Sequence, residues 1–113
     1  MLTIYHNPRC TKSRDCLAFL NEAGHEYTIV KYLEDVPTAQ ELKEVIKKLG
    51  IKPIELVRQK EQIWIEKFKD KPMTNVQIIK TMIKYPVLIE RPIVINGDKA
   101  IIARPLEKAK NII

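Results

Sequence analysis

The chain has no long apolar run. Its longest stretches, Ile78-Ile79, Met82-Ile83 and Pro86 to Ile89, are a few residues each, whereas a membrane span needs about 20. Its start, Met1-Leu2-Thr3-Ile4-Tyr5, has neither the basic residues nor the apolar stretch of a secretion signal, so the expected compartment is the cytoplasm. Cysteine is scarce. Cys10 and Cys16 are the only two, too few for a disulfide scaffold and expected to stay reduced in that compartment. They also make a poor metal site, because their separation is not the usual two to four residues and neither His6 nor His25 has a partner motif. No metal is expected. His25, directly after Gly24 at a helix end, reads as a surface residue near the negative end of the helix dipole. No run of five or six basic residues occurs, and only two phenylalanines could interleave with charge, so a net charge of +6 does not amount to a nucleic-acid surface.

What is present is ordinary in bulk and particular in detail. The 113 residues, 45% hydrophobic and 30% charged, have the balance of one soluble globular domain with no room for a second core. The 20 basic residues divide into 15 lysines and five arginines. Lysines such as Lys43, Lys47, Lys48, Lys67 and Lys69 stand beside glutamates in helical segments and read as a solvated surface. Arginine is rare enough that its positions carry information.

Leu2 to Tyr5 is of strand length and runs into the loop His6-Asn7-Pro8-Arg9-Cys10. A helix is expected from about Thr11, with Leu17, Leu20 and Ala23 at helical spacing and Gly24 where a C-terminal cap belongs. Tyr27 to Tyr32 reads as a second strand, completing a βαβ unit. Thr38-Ala39-Gln40-Glu41 has capping-box spacing and opens a helix whose buried stripe is Leu42, Val45, Ile46 and Leu49, with Gly50 ending it. Pro53 can open a further short helix. Glu61 to Phe68 reads as helix because charges surround Ile63-Trp64-Ile65. A second capping box, Thr74 to Gln77, opens a helix expected to bury Val76, Ile79, Met82 and Ile83. Ile93 to Ile95, the Asn96-Gly97 turn and Ala100 to Ala103 form a hairpin. Leu106 to Ile113 is expected as a closing helix with Pro105 at its first position. The order is βαβ, a helical block, then ββα: an α/β, thioredoxin-like fold with a mixed four-stranded sheet, spanning 1–113 with a helical insertion at about 38–84.

Cys10 falls between a strand end and a helix start. There the unpaired N–H groups and the positive dipole end favour thiolate over thiol. Arg9, Lys12 and Arg14 add positive charge nearby, and His6 adds charge or a donor. Such a thiolate is a credible nucleophile. The bland alternative is a buried core thiol, for which a polar, cation-rich loop is a poor setting. Cys16, at helical spacing with Leu20 and Ala23, reads as core-facing and inert. On a helix from Thr11 onward the two Cα atoms are roughly 9 Å apart at about 1.5 Å per residue, beyond the roughly 4.4 to 6.8 Å of a disulfide. A second thiol is therefore expected from outside the chain.

Arg91 and Arg104 each precede a proline at the edges of the hairpin, and Arg58 ends a short helical segment. A residue before proline is held extended, and a guanidinium fork binds tetrahedral oxyanions in a way lysine does not. In a thioredoxin-like fold the loop before the hairpin returns beside the cysteine loop. Arg91 can then approach Cys10, with Pro92 as the expected cis proline.

Ile4-Tyr5-His6-Asn7-Pro8-Arg9-Cys10 with Ser13-Arg14 resembles the active-site segment of the glutaredoxin-coupled arsenate reductases, the ArsC family. The likeness extends through Tyr32-Leu33-Glu34, Leu56-Val57-Arg58, Leu88 to Val94 and Arg104-Pro105, nearly the whole chain. The resemblance implies reduction of arsenate to arsenite with Cys10 as nucleophile, and Arg58, Arg91 and Arg104 holding the oxyanion. His6 and Ser13 would assist thiol activation. It implies no bound cofactor, glutathione as co-substrate, and glutaredoxin as partner. The departure is Thr11-Lys12, where familiar members have Gly-Thr; Thr11 can still donate through its N–H and hydroxyl, and Lys12 adds charge. Two other functions fit relatives of this kind. One is a glutathione-dependent thiol reductase or transferase acting on another electrophile. The other is an RNA-polymerase-binding redox regulator of the Spx type, which carries a C-x-x-C switch, and Ser13 stands where its second cysteine would be.

Overall fold

Four short strands make one mixed sheet in the computed structural model, which describes residues 2–113. The chain divides into two compact units, one of residues 1–35 and 91–113 and one of residues 36–90. In the first unit, β1 (Leu2–Tyr5), α1 (Thr11–Glu22) and β2 (Tyr27–Val30) form the βαβ motif, and β3 (Ile93–Asn96) and β4 (Lys99–Ile102) the hairpin. The strand order is β2-β1-β3-β4. β2 runs parallel to β1, while β3 is antiparallel to both β1 and β4. This is the thioredoxin-like α/β arrangement expected from the element order.

The hairpin turns through Gly97-Asp98, one residue later than the expected Asn96-Gly97, because Asn96 ends β3 and pairs with Lys99. Gly97, the first loop residue, has a φ of +62°. A side chain is strained in that region, which is why glycine suits the first position of such a two-residue turn. β-branched residues on β1 and β3 fill the sheet interior: Ile4, Ile93 and Val94 are all fully buried. Cys16 and Leu20 of α1 join Leu2, Ile4, Val94, Ala103 and Ala109 in the core cluster. Burying each large aliphatic side chain contributes about 1.5–3 kcal/mol. α1 buries a narrower stripe than its spacing predicts. Ser13, Cys16 and Leu20 are buried, Leu17 is half-buried, and Ala23 is exposed just past the helix end.

The second unit holds α2 (Ala39–Leu49), α3 (Gln62–Lys67) and α4 (Asn75–Lys84), with 3-10 turns at Pro53–Leu56 and Pro86–Leu88. Both capping boxes form. Thr38 Oγ1 accepts the Glu41 N–H at 3.1 Å while Glu41 Oε1 accepts the Thr38 N–H at 2.9 Å. Thr74 and Gln77 exchange the same two bonds at 3.2 and 2.8 Å. Leu42, Val45 and Ile46 are buried as expected, with Leu49 half-buried. On α4 the buried residues are Ile78, Ile79, Thr81 and Met82. Val76 is 60% exposed, contrary to the expected stripe; it lies in the first turn, and the inward face is rotated so that Ile78 replaces it.

The closing segment also differs. Leu106–Asn111 is a 3-10 helix rather than α-helix, and Pro105 is its N-cap rather than its first residue. Only Ala109 of this short stretch is fully buried, with Leu106, Ile112 and Ile113 packed against the core cluster. Asn96 Nδ2 donates to the Ile112 carbonyl and ties the terminus to the hairpin turn. No helix among the described residues is long and apolar enough to cross a membrane.

Candidate active site

The register of the sheet determines what surrounds Cys10. Tyr5, the last residue of β1, pairs with Val30 on one side and Ile93 on the other. The loop His6 to Cys10 therefore leaves the sheet between the segment after β2 and the Arg91-Pro92 peptide before β3. His6 N–H still donates to Val30 O at 2.9 Å. The chain then turns: the Arg9 N–H donates to Asn7 Oδ1 at 3.0 Å, and the Cys10 N–H to Asn7 O at 3.0 Å. Asparagine suits this position because its side chain mimics a backbone turn. Cys10 is the N-cap of α1, in extended conformation, and its carbonyl accepts the Arg14 N–H at 3.0 Å.

Cys10 is nearly buried, with 9% of its surface exposed. Burial, the largest single influence, raises the thiol's pKa. The Ser13 N–H, the Arg91 charge, the Lys12 N–H and a side-chain hydrogen bond from Arg91 all lower it, and together they outweigh burial. Cys10 is thus shifted toward thiolate. The amide donors are the free first-turn N–H groups of α1 aimed at one sulfur. The cation is Arg91, which is brought from the far end of the sequence, and the Arg91-Pro92 peptide is cis as expected. Of the cations adjacent in sequence, Lys12 acts through its backbone amide, while Arg14 is turned elsewhere. Its guanidinium bridges Pro8 O at 3.1 Å and Thr11 Oγ1 at 3.3 Å, bracing the loop across the helix start.

Behind the loop, His6 and Ser13 are buried together. His6 Nδ1 and Ser13 Oγ are 2.6 Å apart, and the Asn7 N–H donates to the same Ser13 oxygen at 3.0 Å. Burial, then the charges of Lys31 and Arg14, lower the His6 pKa, so the ring is neutral near pH 7. In either neutral tautomer one proton bridges His6 and Ser13. That bond pins Ser13, whose N–H faces the Cys10 sulfur. Cys16 has the opposite environment. It is fully buried in the core, and burial pushes its thiol up to about 11.

Arg104 follows β4, and the Ala103 N–H donates to Pro92 O at 2.9 Å. Arg104 therefore leaves the backbone next to the Arg91-Pro92 peptide, half-buried. Arg58 lies in the second unit, where its guanidinium pairs with Glu61 and, at 3.6 Å, with Glu90. Two contributors were not singled out in the sequence. Asn7 shapes the loop from both its side chain and its carbonyl, and an Asn-Pro dipeptide is a recognisable turn signal. Lys31 acts on His6 from across the sheet, and only the β1–β2 register reveals it.

The profile of the ArsC family matches residues 5–112. An arsenate reductase of Haemophilus influenzae is 40% identical over 112 residues, covering 97% of this chain and 97% of the relative. One from Neisseria meningitidis is 38% identical over 114 residues, 99% of this chain and 97% of the relative. Among solved structures, an arsenate reductase from Vibrio cholerae superposes with a TM-score of 0.94 at 37% identity, over 99% of this chain and 97% of that one. A thiolate-stabilising loop on a thioredoxin-like sheet, likeness to these relatives along both chains, and a profile running from β1 to the closing 3-10 helix lead to one conclusion: the chain belongs to the ArsC family.

Proposed function

We propose that the protein reduces arsenate to arsenite, with Cys10 as the nucleophile and glutathione and glutaredoxin as external thiol donors. The observation that supports the reading is the Arg91 charge and side-chain hydrogen bond acting on Cys10, which lower the thiol's pKa and would offer a cation to an oxyanion approaching the sulfur. The arsenate reductases it resembles over nearly their whole length support arsenate as the substrate.

Arsenate approaches with its oxygens toward Arg91 and Arg104, whose guanidinium forks match a tetrahedral oxyanion. The Cys10 thiolate attacks arsenic. A sulfur–arsenic bond forms, and one arsenate oxygen takes up two protons and leaves as water; arsenic remains pentavalent. Glutathione adds its sulfur to the same arsenic and displaces a second water. The glutaredoxin thiolate then attacks the glutathione sulfur, forming a mixed disulfide. The sulfur–arsenic electron pair stays on arsenic, which becomes trivalent. Water releases arsenite and restores Cys10. Fixed donors that meet charge as it develops lower such barriers without reorganising. The neutral His6 and Ser13 hold the loop so that its N–H groups stay on the sulfur.

The test is arsenite formation with glutathione and glutaredoxin, comparing Cys10→Ser with Cys16→Ser. Activity lost only in the Cys10 variant is expected. Full activity without Cys10 overturns the scheme, and turnover of a disulfide or organic electrophile with none of arsenate moves the substrate elsewhere.

A further inference from the structure

We propose that the cleft on the β2 side of the Cys10 loop binds the tripeptide thiol, with Arg9 and Lys31 taking its two carboxylates and Glu34 its ammonium group. This rests on the reading of Cys10 as the site of thiol-dependent reduction and adds where the reductant sits.

The sheet order gives Cys10 two flanks. On the β3 side stands Arg91, whose charge and side-chain hydrogen bond act on Cys10. On the β2 side the chain after Val30 runs past the loop. There it forms a cleft of about 480 Å³ between Asn7, Pro8 and Arg9 of the loop and Lys31, Leu33 and Glu34 after β2, with His6 also lining it. That volume lies in the range of small-molecule sites, about 300–1,000 Å³. Arg9 directly precedes Cys10, so the two Cα atoms are about 3.8 Å apart. A tripeptide about 10 Å long when extended, at about 3.3–3.6 Å per residue, can rest on Arg9 and still present its central cysteine to Cys10.

The charges of the cleft select the ligand class. Arg9 and Lys31 are positive, Glu34 is negative, and His6 is held neutral. Pro8 and Leu33 add apolar wall, and Leu33 is 39% exposed. Among the described residues none of these three charges is in an ion pair. A small oxyanion would satisfy the cations but meet Glu34 with like charge. A molecule with two carboxylates and one ammonium group matches all three signs, and glutathione has that set. The two flanks also separate the reactants. The oxyanion's oxygens lie with Arg91, and the thiol arrives from the opposite side, away from their negative charge.

The experiment titrates the intact protein with S-methylglutathione, which binds but does not react, and follows backbone amides by NMR. Shifts confined to Asn7, Arg9 and the Lys31 to Glu34 segment are expected. Lys31→Glu should weaken binding about tenfold or more, and Lys31→Gln by less, with thermal unfolding confirming that both variants fold. Glu34→Gln should weaken binding of S-methylglutathione but not of its N-acetylated form, which lacks the ammonium charge. In turnover, Lys31→Glu should raise KM for glutathione about tenfold more than KM for arsenate. Shifts on the Arg91-Pro92 flank instead, or affinity indifferent to Lys31 and Glu34, overturn the proposal. Binding as described in a protein that does not turn over arsenate would sustain this site while refuting the arsenate reading. Arsenate turnover with a glutathione KM indifferent to Lys31 would do the reverse.

Discussion

Removing the Arg91 guanidinium tests the claim that a cation distant in sequence, rather than the cations flanking Cys10, activates the thiol. In Arg91→Ala the raising effect of burial persists, while the charge and the side-chain hydrogen bond from Arg91 are lost. Only the Ser13 and Lys12 amides then oppose burial. A hydrogen bond to a charged group is worth about 1.5–3 kcal/mol, equivalent to about a ten- to hundredfold loss in thiolate fraction below the pKa. The more basic thiolate is also the better nucleophile, with a Brønsted slope of about 0.4–0.5, which returns roughly half of that loss on a logarithmic scale. Alkylation of Cys10 by iodoacetamide, measured in a Cys16→Ser background, should therefore slow by about three- to tenfold below the pKa. Above both pKa values the variant should be the faster of the two, so the pH profiles should cross. Arg91→Lys, which keeps charge but loses the fork, should fall between. Superimposed profiles for wild type and Arg91→Ala, or a variant faster at low pH, would refute the assignment of Arg91 as the activating cation.

Three further outcomes follow from the same structure. His6 has a folded-state pKa below its ordinary 6.5, so the unfolded chain binds the proton more readily; stability should fall as pH drops below about 6.5, and His6→Gln should flatten that dependence in acid-side urea titrations. Cys16 is raised from 9.0 to about 11, so stability should fall as pH rises from about 9 toward 11, and Cys16→Ala should remove that component even if it lowers overall stability through the cavity it leaves. Thr38→Ala removes an N-cap whose two capping-box bonds are in place, and chemical denaturation should show a loss of about 1 kcal/mol.

Much of the fold was legible because its signals are local. Thr38 with Glu41 and Thr74 with Gln77 are three residues apart, and each side chain reaches only its own helix's first amides. A hairpin turn at Gly97 needs one residue with positive φ and nothing from the rest of the chain, although the loop falls at Gly97-Asp98, one residue beyond the expected pair. The position of Cys10 at the start of α1 follows from the strand–loop–helix pattern alone. The less legible features depend on how a face is oriented. Val76 fits the apolar stripe of α4 by spacing, yet the helix is rotated to bury Ile78 and Thr81. In the closing segment Pro105 caps rather than begins the helix, and six residues with one fully buried side chain settle as 3-10 rather than α.

By itself the sequence determined the scarcity of arginine, one cysteine at a helix start, a core-facing one further along the same helix, and a chain order that makes a thioredoxin-like sheet. These depend on composition and on neighbours within a few residues. Tertiary structure decided which charges act on which group. Arg9, Lys12 and Arg14 surround Cys10 in sequence, but Arg91, 81 positions away, is the cation on its sulfur. Arg14 instead braces the loop, and Lys31 faces His6 across the parallel pair. The reason is geometric. Electrostatic influence depends on separation in space, and a strand register brings Val30 and Ile93 to either side of Tyr5 however far apart they lie along the chain.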